Sequence, residues 1–144
     1  MDVKFYEKVP DELLKFVVIL SVHEGKYVFC KHRERETYEV PGGHREEGES
    51  VLEAAKRELY EETGAKIFDI RPVSVYSVKG KNKVNESGEE CFGMLYFADI
   101  REFEQELHSE IEKIVLFEEV PDKLTYPLIQ PKLIEYVRKL GLVY

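Results

Sequence analysis

The chain has 144 residues, 43% hydrophobic and 12% aromatic, with a formal net charge of -8. Such a length and composition exclude a disordered chain and fit a single domain, 1–144, with a core of its own. The acidic balance speaks against a general nucleic-acid binder, so no DNA duplex binding is expected. A nucleotide small-molecule substrate stays open, because divalent cations can sit between acidic side chains and phosphates. No apolar run approaches the length needed to cross a membrane. The start, MDVKFYEKVPDELLKF, lacks the basic and apolar regions of a secretory leader. Cys30 and Cys91 sit in strand-like apolar runs and read as reduced, buried thiols. A cytoplasmic location is the expectation that follows.

Residues 1–15 are mixed and charged, with Phe5, Tyr6 and Val9 as packing points. Lys15 to Ser21 predicts a buried strand, His23 to Lys26 a turn, and Tyr27 to Lys31 the returning strand of a hairpin. A charged loop, His32 to Thr37, leads to a short extended piece, Tyr38 to Val40, which Pro41-Gly42-Gly43 ends. A helix begins near Ser50, since Ser50 and Glu53 have the spacing of a capping box, and Gly64 supplies its stop. Ile67 to Val78 is β-like, Lys79 to Glu90 a polar loop, and Cys91 to Ile100 a further strand. Arg101 to Lys113 reads as acid-rich loop with a turn of helix, and Ile114 to Phe117 as a short strand. Pro131 opens a closing amphipathic helix that carries Leu133, Ile134, Val137 and Leu140 and stops at Gly141. The expectation is an α/β domain in which strands outnumber helices.

The chemistry concentrates in the helix after the glycines. Set Val51 at zero and advance about 100° per residue. Val51, Leu52, Ala55 and Leu59 then share a sector of about 100° and predict the core-facing stripe. Glu58 and Glu61 lie on one flank, and Glu62 falls at the edge of the stripe itself. Glu53, Lys56 and Tyr60 point to solvent. Three carboxylates at these spacings repel one another, and the one leaning into the apolar face is costly if unpaired. Arg57 reaches Glu61, but one guanidinium cannot neutralise three acids. A bound divalent cation would relieve both problems, and Mg²⁺ or Mn²⁺ favours oxygen ligands of this kind. An ordinary acidic surface helix is the competing reading. The position of Glu62 weighs against it, as do Gly42 and Gly43, which let backbone come close to a ligand.

These residues resemble the signature of the Nudix hydrolases, G-x5-E-x7-R-E-U-x-E-E-x-G-U with U aliphatic. Here it reads Gly43, Glu49, Arg57, Glu58, Leu59, Glu61, Glu62, Gly64 and Ala65, with Ala65 standing where a larger aliphatic is usual. The tract YEVPGG before the box, the order of strands and the closing helix are also similar to the family. The resemblance implies an α/β/α sandwich around a mixed β-sheet and hydrolysis of a nucleoside diphosphate linked to another group, assisted by Mg²⁺ or Mn²⁺. By position, Glu58, Glu61 and Glu62 resemble the metal-binding acids, and the carbonyl of Gly43 resembles a further ligand. Arg57 resembles the residue that orients a catalytic glutamate, and Glu49 a structural or outer-shell acid. Glu58, Arg57 and Glu61 are the candidate catalytic residues, with the choice of base among the acids open. Many members supply one more carboxylate just before the strand read here at Ile114 to Phe117. Glu112 is the first candidate for it and Glu110 the second. Family members are often dimers, so a homodimer stays open.

Specificity lies outside the box, and the substrate-binding residues are not fixed by it. The tract GKNKV, the run LYFADI and the short length most resemble MutT-like nucleoside triphosphate pyrophosphohydrolases. That implies a (d)NTP or an oxidised guanine nucleotide such as 8-oxo-dGTP, cleaved to a nucleoside monophosphate and pyrophosphate. ADP-ribose, dinucleoside polyphosphates, nucleotide sugars and 5′-triphosphate RNA are the alternatives within the family. Phe5, Tyr6, Tyr38, Tyr76 and Phe92 are candidates to stack on a base. Arg33, Arg35, Lys79, Lys81, Lys83 and His44 are candidates to meet phosphates. Two rival classes share the scaffold. Isopentenyl diphosphate isomerases use a cysteine motif that is not found around Cys30 or Cys91. Non-catalytic binding modules commonly lose box acids, all of which are kept here.

Overall fold

A computed structural model describes residues 2–81, 87–104 and 111–142. Its elements are β1 (Asp2–Tyr6), β2 (Leu14–His23), β3 (Lys26–His32), β4 (Gly42–His44), α1 (Val51–Thr63), β5 (Ala65–Lys79), β6 (Cys91–Phe103), β7 (Ile111–Phe117) and α2 (Gln130–Lys139), with a 3-10 turn at Asp11–Leu13. The strands form one mixed sheet in the order β1-β5-β6-β2-β3-β7, with β4 paired to β2. β2 and β6 run parallel, and the other pairs are antiparallel.

Alternation along the strands divides the core in two. Val17 and Ile19 of β2, with Tyr96, Ala98 and Ile100 of β6, face the layer that holds α1. Leu20 and Val22 of β2, Phe29 of β3 and Leu95 of β6 face the layer that holds Leu133, Ile134 and Val137 of α2. The result is the α/β/α sandwich around a mixed sheet that the motif implied. Among the described residues, no helix is long and apolar enough to cross a membrane.

One irregularity builds the site. β2 pairs with β3 only at the hairpin tip, Val22 with Tyr27 and His23 with Lys26. Farther back the two strands part, and the segment after β3 fills the gap. Glu39 bridges to Cys30, the Ile19 N–H donates to Pro41 O at 2.8 Å, and β4 pairs Gly42 with Val18 and Gly43 with Val17. The glycines of the box are thereby stitched into the sheet beside α1.

Several boundaries differ from the sequence reading. β1 was not expected: its polar–apolar alternation, Asp2-Val3-Lys4-Phe5, is only four residues long, and Val3 and Phe5 pack towards α2. β6 runs on through Arg101–Phe103, and β7 starts at Ile111, so strand replaces loop at both ends of that stretch. Residues 105–110, including Glu110, lie outside the described residues. Cys30 is buried, whereas Cys91 is only half-buried, and both thiols are free.

Candidate active site

Helix α1 is fixed at both ends. The Ser50 side chain accepts from the Glu53 N–H at 3.1 Å, and Glu53 returns the bond to the Ser50 N–H, closing the expected capping box. Gly64 ends the helix in the left-handed region at φ 74°, where residues with a Cβ are strained. Between these stops Val51, Ala54, Ala55, Leu59, Glu62 and Thr63 are buried. Leu52, expected in the stripe, is 41% exposed instead. Its angle is within about 20° of Thr63, which is buried where α1 runs into β5. Axial position rather than phase therefore exposes Leu52: it sits in the free first turn. Lys56, Tyr60 and Glu53 face solvent as expected.

The buried stripe presses the acids of α1 against β4. Glu62 is 9% exposed, and its Oε1 accepts from the Gly42 N–H at 2.7 Å. A Cβ on Gly43 would overlap the Glu58 carboxylate, so the closeness of helix and turn depends on glycine there. Arg57 ties the rest together. It donates to both oxygens of Glu49 at 2.6 and 3.0 Å, to His44 O at 3.0 Å and to Glu58 Oε1 at 2.5 Å. Glu61, whose side chain is 49% exposed, lies 3.4 Å from the same guanidinium. The structure thus gathers Gly43, Glu49, Arg57, Glu58, Glu61 and Glu62 at one edge. The strongest partner of Arg57 is Glu49, while Glu58 takes a single contact. For Glu112 the backbone alone is described. It is the extra residue between the Lys31–Lys113 and His32–Ile111 pairs, beside His32, and its side chain lies outside the described residues.

Electrostatics separate these acids. Arg57 holds the Glu49 carboxyl down at about 2, helped by a backbone bond from Glu46. Burial raises Glu58 to about 7, and the neighbouring Glu62 and Glu61 add to that rise. The Arg57 contact opposes it but is outweighed, because one partly shared guanidinium offsets neither the lost hydration nor two like charges. Glu62 is also raised, first by burial, against the pull of His32 and the Gly42 N–H.

His32 and Glu39 were not singled out from the sequence. His32 Nε2 lies 3.4 Å from Glu39 and 3.6 Å from Glu62, and its pKa is raised, chiefly by Glu62. Glu39 is 7% exposed and accepts from Arg35 at 2.8 Å. An acid between Tyr38 and Val40 in an extended apolar tract was the available signal for Glu39.

The donor set fits a hard divalent cation: the carboxylates of Glu58 and Glu62 beside the Gly43 backbone are oxygen donors, and burial first, then repulsion from Glu62, raises Glu58. Among the described residues, no three His, Cys, Asp or Glu side chains already converge on one ion position. Glu58 is turned to Arg57 and Glu62 to Gly42 and His32.

A cavity of about 320 Å³ opens from this edge over the α2 face of the sheet, against the start of α2. Gly43, His44 and Glu62 of that edge line it, as do Phe16, Tyr76 and Gln130. Of the aromatics expected to stack on a base, Tyr76 lines it. Phe5 instead stacks on Tyr136 with centroids 3.9 Å apart, Tyr6 packs on Phe92, and Tyr38 on Phe117. Of the basic candidates, Arg35 lines the cavity, as does His44, which is exposed. Arg33, Lys79 and Lys81 are exposed away from it, and Lys83 lies outside the described residues.

Comparison with known proteins agrees with this architecture. The NUDIX domain model matches residues 13–137. The chain is 38% identical over 112 residues to the "Putative 8-oxo-dGTP diphosphatase YtkD" of Bacillus subtilis (strain 168), covering 77% of this chain and 66% of that relative, just under two thirds of its length. Among solved structures it is similar to the Bacillus subtilis pyrophosphohydrolase BsRppH, with a TM-score of 0.78 and 28% identity over 99% of this chain and 93% of that one. A NUDIX hydrolase from Nitrosomonas europaea shares the fold at 24% identity, with a TM-score of 0.70 over 91% and 92% of the two chains. With the box glycine, arginine and acids gathered at one edge of such a sheet, the chain belongs to the NUDIX domain family.

Proposed function

We propose that the chain is a nucleotide pyrophosphohydrolase that works with Mg²⁺, or with Mn²⁺ in its place, on a nucleoside triphosphate. The first substrate to test is 8-oxo-dGTP, with (d)NTPs next. The observation that carries the reading is the junction of two features. The carboxylates of Glu58 and Glu62 stand beside the Gly42–Gly43 backbone, and Glu62 and Gly43 also line the cavity. A nucleotide in the cavity would present its phosphates to those acids.

Glu58 and Glu62, with the Gly43 carbonyl, would hold the cation, and Glu61 is close enough in the chain to join them. A divalent cation bound there supplies charge neutralisation at phosphate oxygens and lowers the pKa of a bound water. The chain's own residues do the rest. Glu58 and Glu61 are the carboxylates placed to accept the proton of that water, a role that requires hydrogen-bond reach of it. Arg57, braced by two bonds to Glu49, holds one Glu58 oxygen in place and leaves the other free. The apolar walls exclude bulk water from the substrate. The products would be a nucleoside monophosphate and pyrophosphate.

The relatives support the class of reaction, since one is described as an 8-oxo-dGTP diphosphatase and another as a pyrophosphohydrolase. The test is a turnover panel with Mg²⁺ or Mn²⁺: 8-oxo-dGTP, dGTP, ADP-ribose, diadenosine polyphosphates, nucleotide sugars and 5′-triphosphate RNA. Pyrophosphate release from 8-oxo-dGTP or dGTP is the expected result. Release confined to ADP-ribose or a nucleotide sugar would move the substrate class, and no release from any member would favour a binding module.

A further inference from the structure

Gly93 sits inside β6, in the middle of the sheet, where glycine weakens a strand and β-branched or aromatic residues are the rule. Its backbone does not require glycine, since its φ is not positive. Space does. In register Gly93 lies between Phe16 of β2 and Tyr76 of β5. The rings of those two neighbours approach each other, with centroids 5.6 Å apart and planes at 59°. A Cβ on Gly93 would overlap the edge of the Phe16 ring and come within 2.9 Å of the Phe16 carbonyl oxygen. The ring therefore occupies the place of the missing side chain.

Phe16 and Tyr76 both line the cavity, as do Val18 and Val78 on the same face of the sheet. Gly93 is buried, and the half-buried Phe16 touches Gly93 and the cavity at once. Its ring has β6 beneath it and Tyr76 beyond Gly93, both close-packed. A methyl group on Gly93 would thus displace the ring into the open space that it borders, which is the cavity.

We infer that Gly93 is a specificity-determining residue: by leaving room for the Phe16 ring, it keeps the cavity deep enough for the fused rings of a purine base. The inference rests on the nucleotide pyrophosphohydrolase reading above and narrows its substrate. At about 320 Å³ the cavity is at the small end of ligand sites, where the displacement of a single ring decides what enters. Apolar walls sort ligands by size, and one methylene more or less changes use by roughly 10–200-fold. A pyrimidine base, with its single ring, needs less of that depth.

The experiment measures kcat/KM for GTP, ATP, CTP and UTP with Mg²⁺, and Kd for GMP and CMP without metal. Gly93→Ala is expected to lose kcat/KM for the purine nucleotides by roughly tenfold more than for the pyrimidine ones, chiefly through KM, and to weaken GMP against CMP by a similar factor. A strand that is merely destabilised would slow all four alike. Phe16→Val removes the ring atoms that the methyl group meets. Gly93→Ala made in that background is therefore expected to leave the purine-to-pyrimidine ratio within about threefold of its parent. Phe16→Val alone deepens the cavity and is expected to raise the use of etheno-ATP, whose base carries a further fused ring, by about threefold or more relative to ATP. This variant decides the matter if Gly93→Ala does not fold. A wild type that accepts pyrimidine nucleotides only would overturn the inference. So would an equal loss on all four nucleotides in Gly93→Ala, the same selective loss in the Phe16→Val background, or an unchanged etheno-ATP ratio in Phe16→Val. Absence of turnover with every nucleotide defeats the pyrophosphohydrolase reading instead, and the GMP-to-CMP ratio of Kd in wild type and Gly93→Ala then still decides the role of Gly93. Failure of both monophosphates to bind defeats the inference as well.

Discussion

Adding one methyl group at each glycine of the turn separates what holds the fold from what shapes the acidic edge. Neither Gly42 nor Gly43 has a positive φ, so alanine fits the backbone at both, and only space decides the outcome. At Gly42 the new Cβ would meet the Val17 carbonyl oxygen and then Val18 Cα at 3.2 Å, both of them backbone. Backbone in the middle of β2 cannot yield without loosening the β2–β4 pairing. Gly42→Ala is expected to cost about 1–3 kcal/mol, as overpacking does. That corresponds to a fall in Tm of roughly 2–12 °C for a chain of this size. At Gly43 the three nearest atoms are those of the Glu58 carboxylate, the far end of a flexible side chain. That carboxylate can swing away at the expense of its bond to Arg57, a loss of about 1–2 kcal/mol. The smaller entropy of the unfolded alanine chain returns about 0.4–1 kcal/mol. Gly43→Ala should therefore unfold within about 1 kcal/mol of wild type. Its Mg²⁺-dependent turnover should nevertheless fall by about a hundredfold, because Glu58 no longer stands beside the turn. Urea unfolding in EDTA and pyrophosphate release from dGTP read the two effects apart. Wild-type turnover by Gly43→Ala would refute the placement of Glu58 at the reacting edge. A smaller loss of stability in Gly42→Ala than in Gly43→Ala would refute the steric argument.

Glu62→Gln keeps an acceptor for the Gly42 N–H and removes a buried charge. It is expected to leave Tm in EDTA unchanged or higher while turnover drops by orders of magnitude, and near-wild-type rates would remove Glu62 from the metal site. Glu61→Gln should match that loss of turnover with no change in Tm, since its side chain is half-exposed. Glu49 has a folded pKa of about 2, below its ordinary value near 4.5, because of Arg57. A depressed acid stabilises the fold above its unfolded pKa and loses that contribution as pH falls from about 4.5 towards 2. Glu49→Gln should thus flatten the decline of the urea midpoint across that window, and an unchanged slope would count against the Arg57–Glu49 fork. Chelation with EDTA is expected to abolish turnover and excess Mg²⁺ to restore it, whereas full activity in EDTA would end the metal reading.

How much of this was legible from sequence depended on how local the signal was. The capping box, the Gly64 stop and the facing of Glu58 and Glu62 are set within one helix, and the structure places them as the periodicity predicts. Leu52 failed for a reason that periodicity does not contain: angle says which way a side chain points, not whether anything lies opposite it. β1 was missed because its alternation, Asp2-Val3-Lys4-Phe5, is only four residues long and stands alone, its partner β5 lying far along the chain. The cavity wall is non-local. Gln130 meets Val40 across 90 positions of chain, and Glu39 joins Cys30 only because β2 and β3 part. Yet one test reaches both ends of the site. Glu62 drew notice as a charged residue on the apolar face of its helix. Gln130 stands at the same kind of position, since 130, 133, 134 and 137 follow the i, i+3, i+4, i+7 spacing of the buried face of α2. A polar side chain there must either find a partner inside or offer its hydrogen bond to something that enters. Glu62 does the first in part, through Gly42 and His32, and Gln130 does so through the Val40 N–H. The two residues line the same cavity, the one that the proposed function fills with a nucleotide.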